Sequence, residues 1–162
     1  RVSMEIGSVR LTERYLRHSP PLAAEIATAR ARIVEEIAQI VNTGFGYYAL
    51  IAVAGTATTL AGLHLGLPGF DRERIDGCGI PAGAVHAMAS RLLGMDAGAI
   101  RSISDMTAGR EDILPAGALI LSTIVNHFGF QGIRVSTRGL RYGIVLRDWE
   151  RLGGGAGTRG GA

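Results

Sequence analysis

The residues best suited to chemistry follow an almost fully apolar run, Ala49-Leu50-Ile51-Ala52-Val53-Ala54, which ends at Gly55. Thr56, Thr58 and Thr59 come next, then helix-forming sequence. Gly55 lets the backbone turn closely where a strand ends. The free N–H groups and hydroxyls after it sit where a helix starts. Unpaired amides and the helix dipole both favour negative charge there. One reading is a phosphate- or nucleotide-contacting turn. The other is an ordinary strand–turn–helix whose threonines cap the helix. Two arginines also stand out. Arg110 lies just before a helix start, where its guanidinium could fork a phosphate or pair with Asp112 or another nearby acid. Arg141 lies between Gly139 and Gly143, which read as a tight turn, and it either braces that loop or meets a ligand.

Other chemistries find little support. His18, His64, His86 and His127 are far apart, and none has a metal-ligating neighbour at helical spacing. They read as surface or partly buried residues. No G-x-S-x-G or Cys/His nucleophile arrangement occurs. The single cysteine, Cys78, excludes an internal disulfide and a cysteine metal cluster, and fits a reducing cytosol. The 17 basic residues are all arginine, and the net charge is +3. They are interleaved with acids and form no nucleic-acid stripe.

The elements that must position these groups can be read from periodicity. The length of 162 residues fits one domain, and 47% hydrophobic residues can build a sizeable core. No run approaches the ~20 apolar residues of a membrane helix, and no signal peptide is visible. Val2–Ile6 reads as a short strand. Arg10 and Glu13, on its continuation, read as a solvated or cross-strand pair. Ser19-Pro20-Pro21 reads as a capped helix start. Leu22, Ile26, Ala29, Ile33, Ile37 and Ile40 then form one apolar stripe. Glu25, Arg32, Glu35 and Glu36 lie on its other faces, with Glu35 and Glu36 solvated. Gly44 and Gly46 end that helix.

Tyr47–Ala54 reads as a strand buried on both faces, and a helix from Thr56 to Leu65 follows. Residues 69–80 read as a polar connector with a turn at Asp76-Gly77. Helices over Pro81–Leu93, Ala97–Ile103 and Glu111–Phe128 come next, the last regular from Pro115. Gly132–Ser136 is a further strand and Ile144–Leu152 a last helix. Residues 153–162 are glycine-rich and read as a disordered tail. The order predicts an α/β layered domain with three strands and flanking helices.

Four segments, in order, carry a resemblance. They are SMEIGSVRLTERYL from Ser3, VAGTATTLAGL from Val53, AGREDILPAG from Ala108, and VSTRGLRYGIV from Val135. Together they resemble the exopolyphosphatase/guanosine pentaphosphate phosphatase family over Ser3–Leu146. The resemblance implies the actin/sugar-kinase/Hsp70-like (ribonuclease H-like) ATPase fold, whose two lobes close on a phosphate chain. It implies that residues 1–152 are an incomplete second lobe. The family's D-I-G-G-G-S-T-E loop, its first lobe and the general-base carboxylate have no counterpart here. Asp76 stands where the family often has histidine.

The resemblance further implies that Gly55, Thr56, Ala57 and Thr58 face the interlobe cleft. It places Arg110 in a segment the family writes G-R-A-D, and Arg141 in the last motif. Two functions follow as expectations. The first is part of a cytoplasmic phosphoanhydride hydrolase acting on polyphosphate or guanosine pentaphosphate. Magnesium is then held in the full-length parent by ligands outside this chain, and no catalytic residue lies within it. The second is a non-catalytic polyphosphate- or nucleotide-binding module. In either case the expected partner is the protein's first lobe or a second copy, as in a homo-oligomer.

Overall fold

A computed structural model describes residues 4–40 and 50–151, without the side chains of Leu140, Arg141 and Glu150. Two helices come first, α1 (Ser8–Tyr15) and α2 (Ala23–Ala38). Then follow β1 (Leu50–Val53), α3 (Ala54–His64), α4 (Arg72–Ile75), β2 (Gly79–Pro81), α5 (Ala82–Leu93), α6 (Ala97–Arg101), α7 (Leu114–Phe128), β3 (Gly132–Ser136) and α8 (Leu140–Arg151). The strands form one sheet in the order β1-β3-β2. β1 and β3 are parallel, with Leu50 opposite Ile133 and Val53 opposite Ser136. β2 is antiparallel to β3, with Ile80 opposite Ile133.

The core follows from alternation along the strands. Ala52, Ile80, Ile133 and Val135 point to one face and bury themselves with Ala57, Leu60, Val85, Leu92, Leu114 and Ala118 of α3, α5 and α7. A second cluster joins Leu11 of α1, Ala29, Ile33 and Ile37 of α2, and Ala116 and Leu119 of α7. α7 is thus shared by both clusters, as its nine buried residues require. Each fully buried Leu or Ile contributes about 1.5–3 kcal/mol relative to exposure.

Several sequence expectations are corrected here. β1 is not buried on both faces: Ile51 and Val53 are 62% and 46% exposed. Period-two alternation sends them to the face opposite the core, which no described helix covers. Met4–Ile6 form no strand, and Arg10 and Glu13 lie on α1 rather than on a strand. Arg10 pairs with Glu5. The third strand is instead Gly79–Pro81, within and just past the predicted connector. Its residues add to β3 because the turn at Asp76-Gly77 brings them alongside, with Gly77 N–H donating to Val135 O at 2.8 Å.

Ser19 does not cap α2. Leu22 takes that position, and Glu25 accepts its N–H at 2.9 Å. The Ser19 hydroxyl instead accepts the Ala97 N–H at the start of α6, at 2.9 Å. Glu36 is buried, not solvated; it accepts the Glu5 N–H at 3.2 Å and pairs with Arg32. α8 begins at Leu140, so Gly143 lies inside it and does not close a turn around Arg141. Residues 1–3, Gly44, Gly46, Tyr47–Ala49 and the predicted tail lie outside the described residues.

Candidate anion site at the strand ends

In an open sheet, ligands gather beyond the carboxyl ends of parallel strands. Here β1 and β3 end side by side, at Val53 and Ser136. β1 runs straight into α3, whose N-cap is Val53 and whose first residue is Ala54. Ala54 makes the turn itself, at φ +72°. This left-handed conformation costs an L-residue roughly 1–2 kcal/mol. The first turn of a helix leaves N–H groups without intrahelical acceptors; in α3 these belong to Ala54, Gly55 and Thr56.

Because α3 starts two residues before Thr56, the four cradle residues separate. Gly55 stays at the mouth, and the guanidinium of Arg110 lies directly on it. A Cβ at Gly55 would stand 2.7 Å from Arg110 Cζ and 2.9 Å from Nη2. Thr56 turns towards α7 and fills the space over Gly117, where a Cβ would meet its Cγ2 at 2.7 Å. Ala57 is 1% exposed and belongs to the core. The Thr58 hydroxyl donates back to Gly55 O at 3.1 Å. Thr56, Ala57 and Thr58 therefore direct their side chains to packing or to the helix itself, and Gly55 is the residue that meets Arg110. Arg141 lies in the first turn of α8 and its side chain is not among those described.

The alternative role for Arg110, a pair with Asp112, is absent: among the described residues no carboxylate forms an ion pair with it. Its loop is nevertheless firmly held. Thr107 is fully buried; its hydroxyl donates to Ser104 O at 2.6 Å, and its own carbonyl accepts the Arg110 N–H at 3.0 Å. Gly109 takes φ +75°. Met106 lies over Gly62 of α3, and its carbonyl accepts from buried Thr59 at 3.4 Å. The Glu111 carboxylate sits among the backbone N–H groups of Glu111, Gly109 and Arg110, with Arg101 at 3.5 Å; these donors hold it below the usual carboxylate range.

The neighbouring strand end has a carboxylate brace that sequence reasoning missed. Asp76 accepts the Thr137 N–H at 2.7 Å, the Thr137 hydroxyl at 3.0 Å and the Ser136 hydroxyl at 3.2 Å. Arg138 Nε lies 3.6 Å from its other oxygen. The Thr137 contacts, above all, hold the Asp76 carboxyl below its usual range. The Asp-Gly turn was visible in the sequence, but its partners lie 60 and 61 residues away. Among the described residues no group of three His, Cys, Asp or Glu could hold a metal ion.

The fold is a mixed α/β module in which an arginine lies on a helix start at the ends of two parallel strands. The sequence pattern of the Ppx/GppA phosphatase family matches residues 1–152, and the chain belongs to that family. It is 30% identical over 150 residues to exopolyphosphatase 2 of Mycobacterium tuberculosis, covering 89% of this chain and 47% of that protein. It is 26% identical over 153 residues to a bifunctional 3-dehydroquinate synthase/phosphatase of Fusobacterium nucleatum, covering 93% of this chain and 23% of that protein.

Among solved structures, an exopolyphosphatase-like protein shares the fold at TM-score 0.86 and 31% identity, over 93% of this chain and 51% of its own. An Aquifex aeolicus Ppx/GppA family member does so at TM-score 0.86 and 21% identity, over 93% and 49%. The chain thus spans about half the length of these structures and of the mycobacterial relative, and less of the bifunctional one. No helix among the described residues is long and apolar enough to cross a membrane.

Proposed function

We propose that this chain forms one wall of the cleft of a cytoplasmic phosphoanhydride hydrolase that removes terminal phosphate from inorganic polyphosphate, guanosine pentaphosphate or both. The observation that carries this reading is Arg110 lying on Gly55 at the start of α3. A cation lies there beside the N–H groups of a helix start, the combination that suits a phosphate oxygen. Removing a terminal phosphate also needs an oriented water, a base and neutralising cations. In this reading the base and the magnesium ligands lie outside the chain, in the half of the protein that its relatives carry in addition. Gly55 and Arg110 bind and orient the polyanion. The exposed face of Ile51 and Val53 and the apolar side of α8 are covered by that other half or by a second copy of the chain.

The experiment is phosphate release from polyphosphate in the presence of magnesium. The chain by itself gives none above a buffer blank. The full-length protein releases phosphate, and Arg110→Ala lowers kcat/KM roughly ten- to a hundredfold, the size of one charge-assisted contact. Arg110→Lys restores part of it, since lysine keeps the charge and loses the fork. Arg147→Ala, which removes an exposed pair with Asp148 on α8, leaves the rate unchanged. Equal near-parental rates for Arg110→Ala and Arg147→Ala refute the assignment.

A further inference from the structure

We infer that Arg138 is a second anion-contacting residue of this site and that Asp76 is its positioning residue. The inference rests on the polyphosphate-binding reading above and adds residues that reading does not contain.

The starting point is register. Val53 and Ser136 are Cα partners on adjacent parallel strands, so they stand about 4.8 Å apart. Gly55, with Arg110 upon it, follows Val53 by two residues. Arg138 follows Ser136 by two residues. The two arginines therefore serve neighbouring strand ends.

The loop that carries Arg138 is fixed. Asp76 takes three hydrogen bonds from Ser136 and Thr137, and the Ser136 hydroxyl accepts the Arg138 N–H at 3.1 Å. The side chain is aimed as well. Its Nε faces Asp76 Oδ2 at 3.6 Å, and its Cζ lies 5.4 Å from the Tyr142 ring centroid. A guanidinium held through Nε and stacked on a ring still has its two terminal nitrogens for a bidentate contact. Those nitrogens have no hydrogen-bond or ion-pair partner among the described residues, and the side chain is 58% exposed. Asp76 faces this cation through Oδ2 on the Nε side, while Oδ1 takes the three donors of Ser136 and Thr137; the pair offsets part of the charge and leaves the terminal nitrogens to a ligand. The ligand class is a chain of at least two linked phosphates, one on the Gly55–Arg110 side and one reaching Arg138.

The test uses tripolyphosphate as the probe and two readouts on the 162-residue chain. Arginine Nε–Hε NMR signals report which side chains meet the ligand, and calorimetry reports affinity. Both the Arg110 and Arg138 signals should move along one saturation curve, with Arg147 still. Arg138→Ala should weaken binding roughly tenfold, and Arg138→Lys should recover part of that. Asp76→Asn should shift the Arg138 Nε–Hε signal before any ligand is added. It should also weaken binding, yet add nothing in the Arg138→Ala background. A merely structural Asp76 would lower affinity equally in both backgrounds. Movement of Arg110 without Arg138 overturns this inference and leaves the polyphosphate reading standing. If neither moves, or all arginines move alike, both fall.

Discussion

Replacing Gly55 with alanine should push stability and ligand binding in opposite directions. Gly55 is the second residue of α3 and has no positive φ, so alanine is conformationally welcome there. Ala is preferred to Gly within helices by roughly 0.5–1 kcal/mol. The new Cβ would stand 2.7 Å from Arg110 Cζ, where ordinary contact begins near 3.4 Å. Nη1 would come closer still, so the guanidinium must withdraw by more than an ångström. It is the far end of an exposed, flexible side chain, so withdrawal costs the fold little. It costs the site more, since a charge-assisted contact is worth about 1.5–3 kcal/mol.

With part of that contact retained, affinity for tripolyphosphate should fall roughly three- to tenfold. Chemical denaturation should show a midpoint equal to or above the parent's. The decisive comparison is a double-mutant cycle. In an Arg110→Ala background, Gly55→Ala should change affinity by less than about 0.5 kcal/mol, because the cation it displaces is gone. An equal loss in both backgrounds would mean that the Cβ blocks the anion directly. No loss in either would mean that Arg110 is idle at Gly55.

Three further outcomes follow from neighbouring geometry. Ala54→Gly removes a left-handed alanine and should raise stability by roughly 1 kcal/mol, read from urea unfolding; a loss of that size contradicts the φ of +72°. Gly117→Ala drives a Cβ into Thr56 and should cost roughly 1–3 kcal/mol, with partial recovery in Thr56→Ala, Gly117→Ala; no recovery would mean the strain lies elsewhere. Glu25, hydrogen-bonded by His18 and by the N–H groups of Leu22 and Arg17, is held down to about 2, against about 4.3 in an unfolded chain. Its contribution is complete above the unfolded value and lost as pH falls through about 2, so Glu25→Gln should flatten that part of the stability–pH curve in urea titrations from pH 2 to 6.

Much of the fold was legible because it rests on period. The stripe through Ala29, Ile33 and Ile37 marks α2, and Pro115 correctly marks the start of regular helix in α7. The strands were harder. Ile51 and Val53 look as apolar as Leu50 and Ala52, and sequence does not say that the described residues leave one sheet face exposed. Gly79–Pro81 is too short to show alternation and becomes a strand only through pairing with β3. At the site, Gly55 and Arg110 were both singled out, but their mutual contact joins residues 55 positions apart. The early start of α3 at Ala54 could not be read from threonines that normally cap helices. That two-residue difference is what turns Thr56, Ala57 and Thr58 away. Asp76 was read only as a turn residue, because its bracing role depends on a loop brought alongside by tertiary pairing.

The central claim is that a phosphate oxygen sits at the start of α3 under Arg110. An amide-resolved NMR titration with tripolyphosphate tests it most directly. The account predicts that the Ala54, Gly55 and Thr56 amides shift together on one saturation curve, and that Arg110→Ala weakens that curve roughly tenfold or more. Shifts concentrated elsewhere, such as around Arg14 and Arg17 or along α8, with these three amides unmoved, would contradict it.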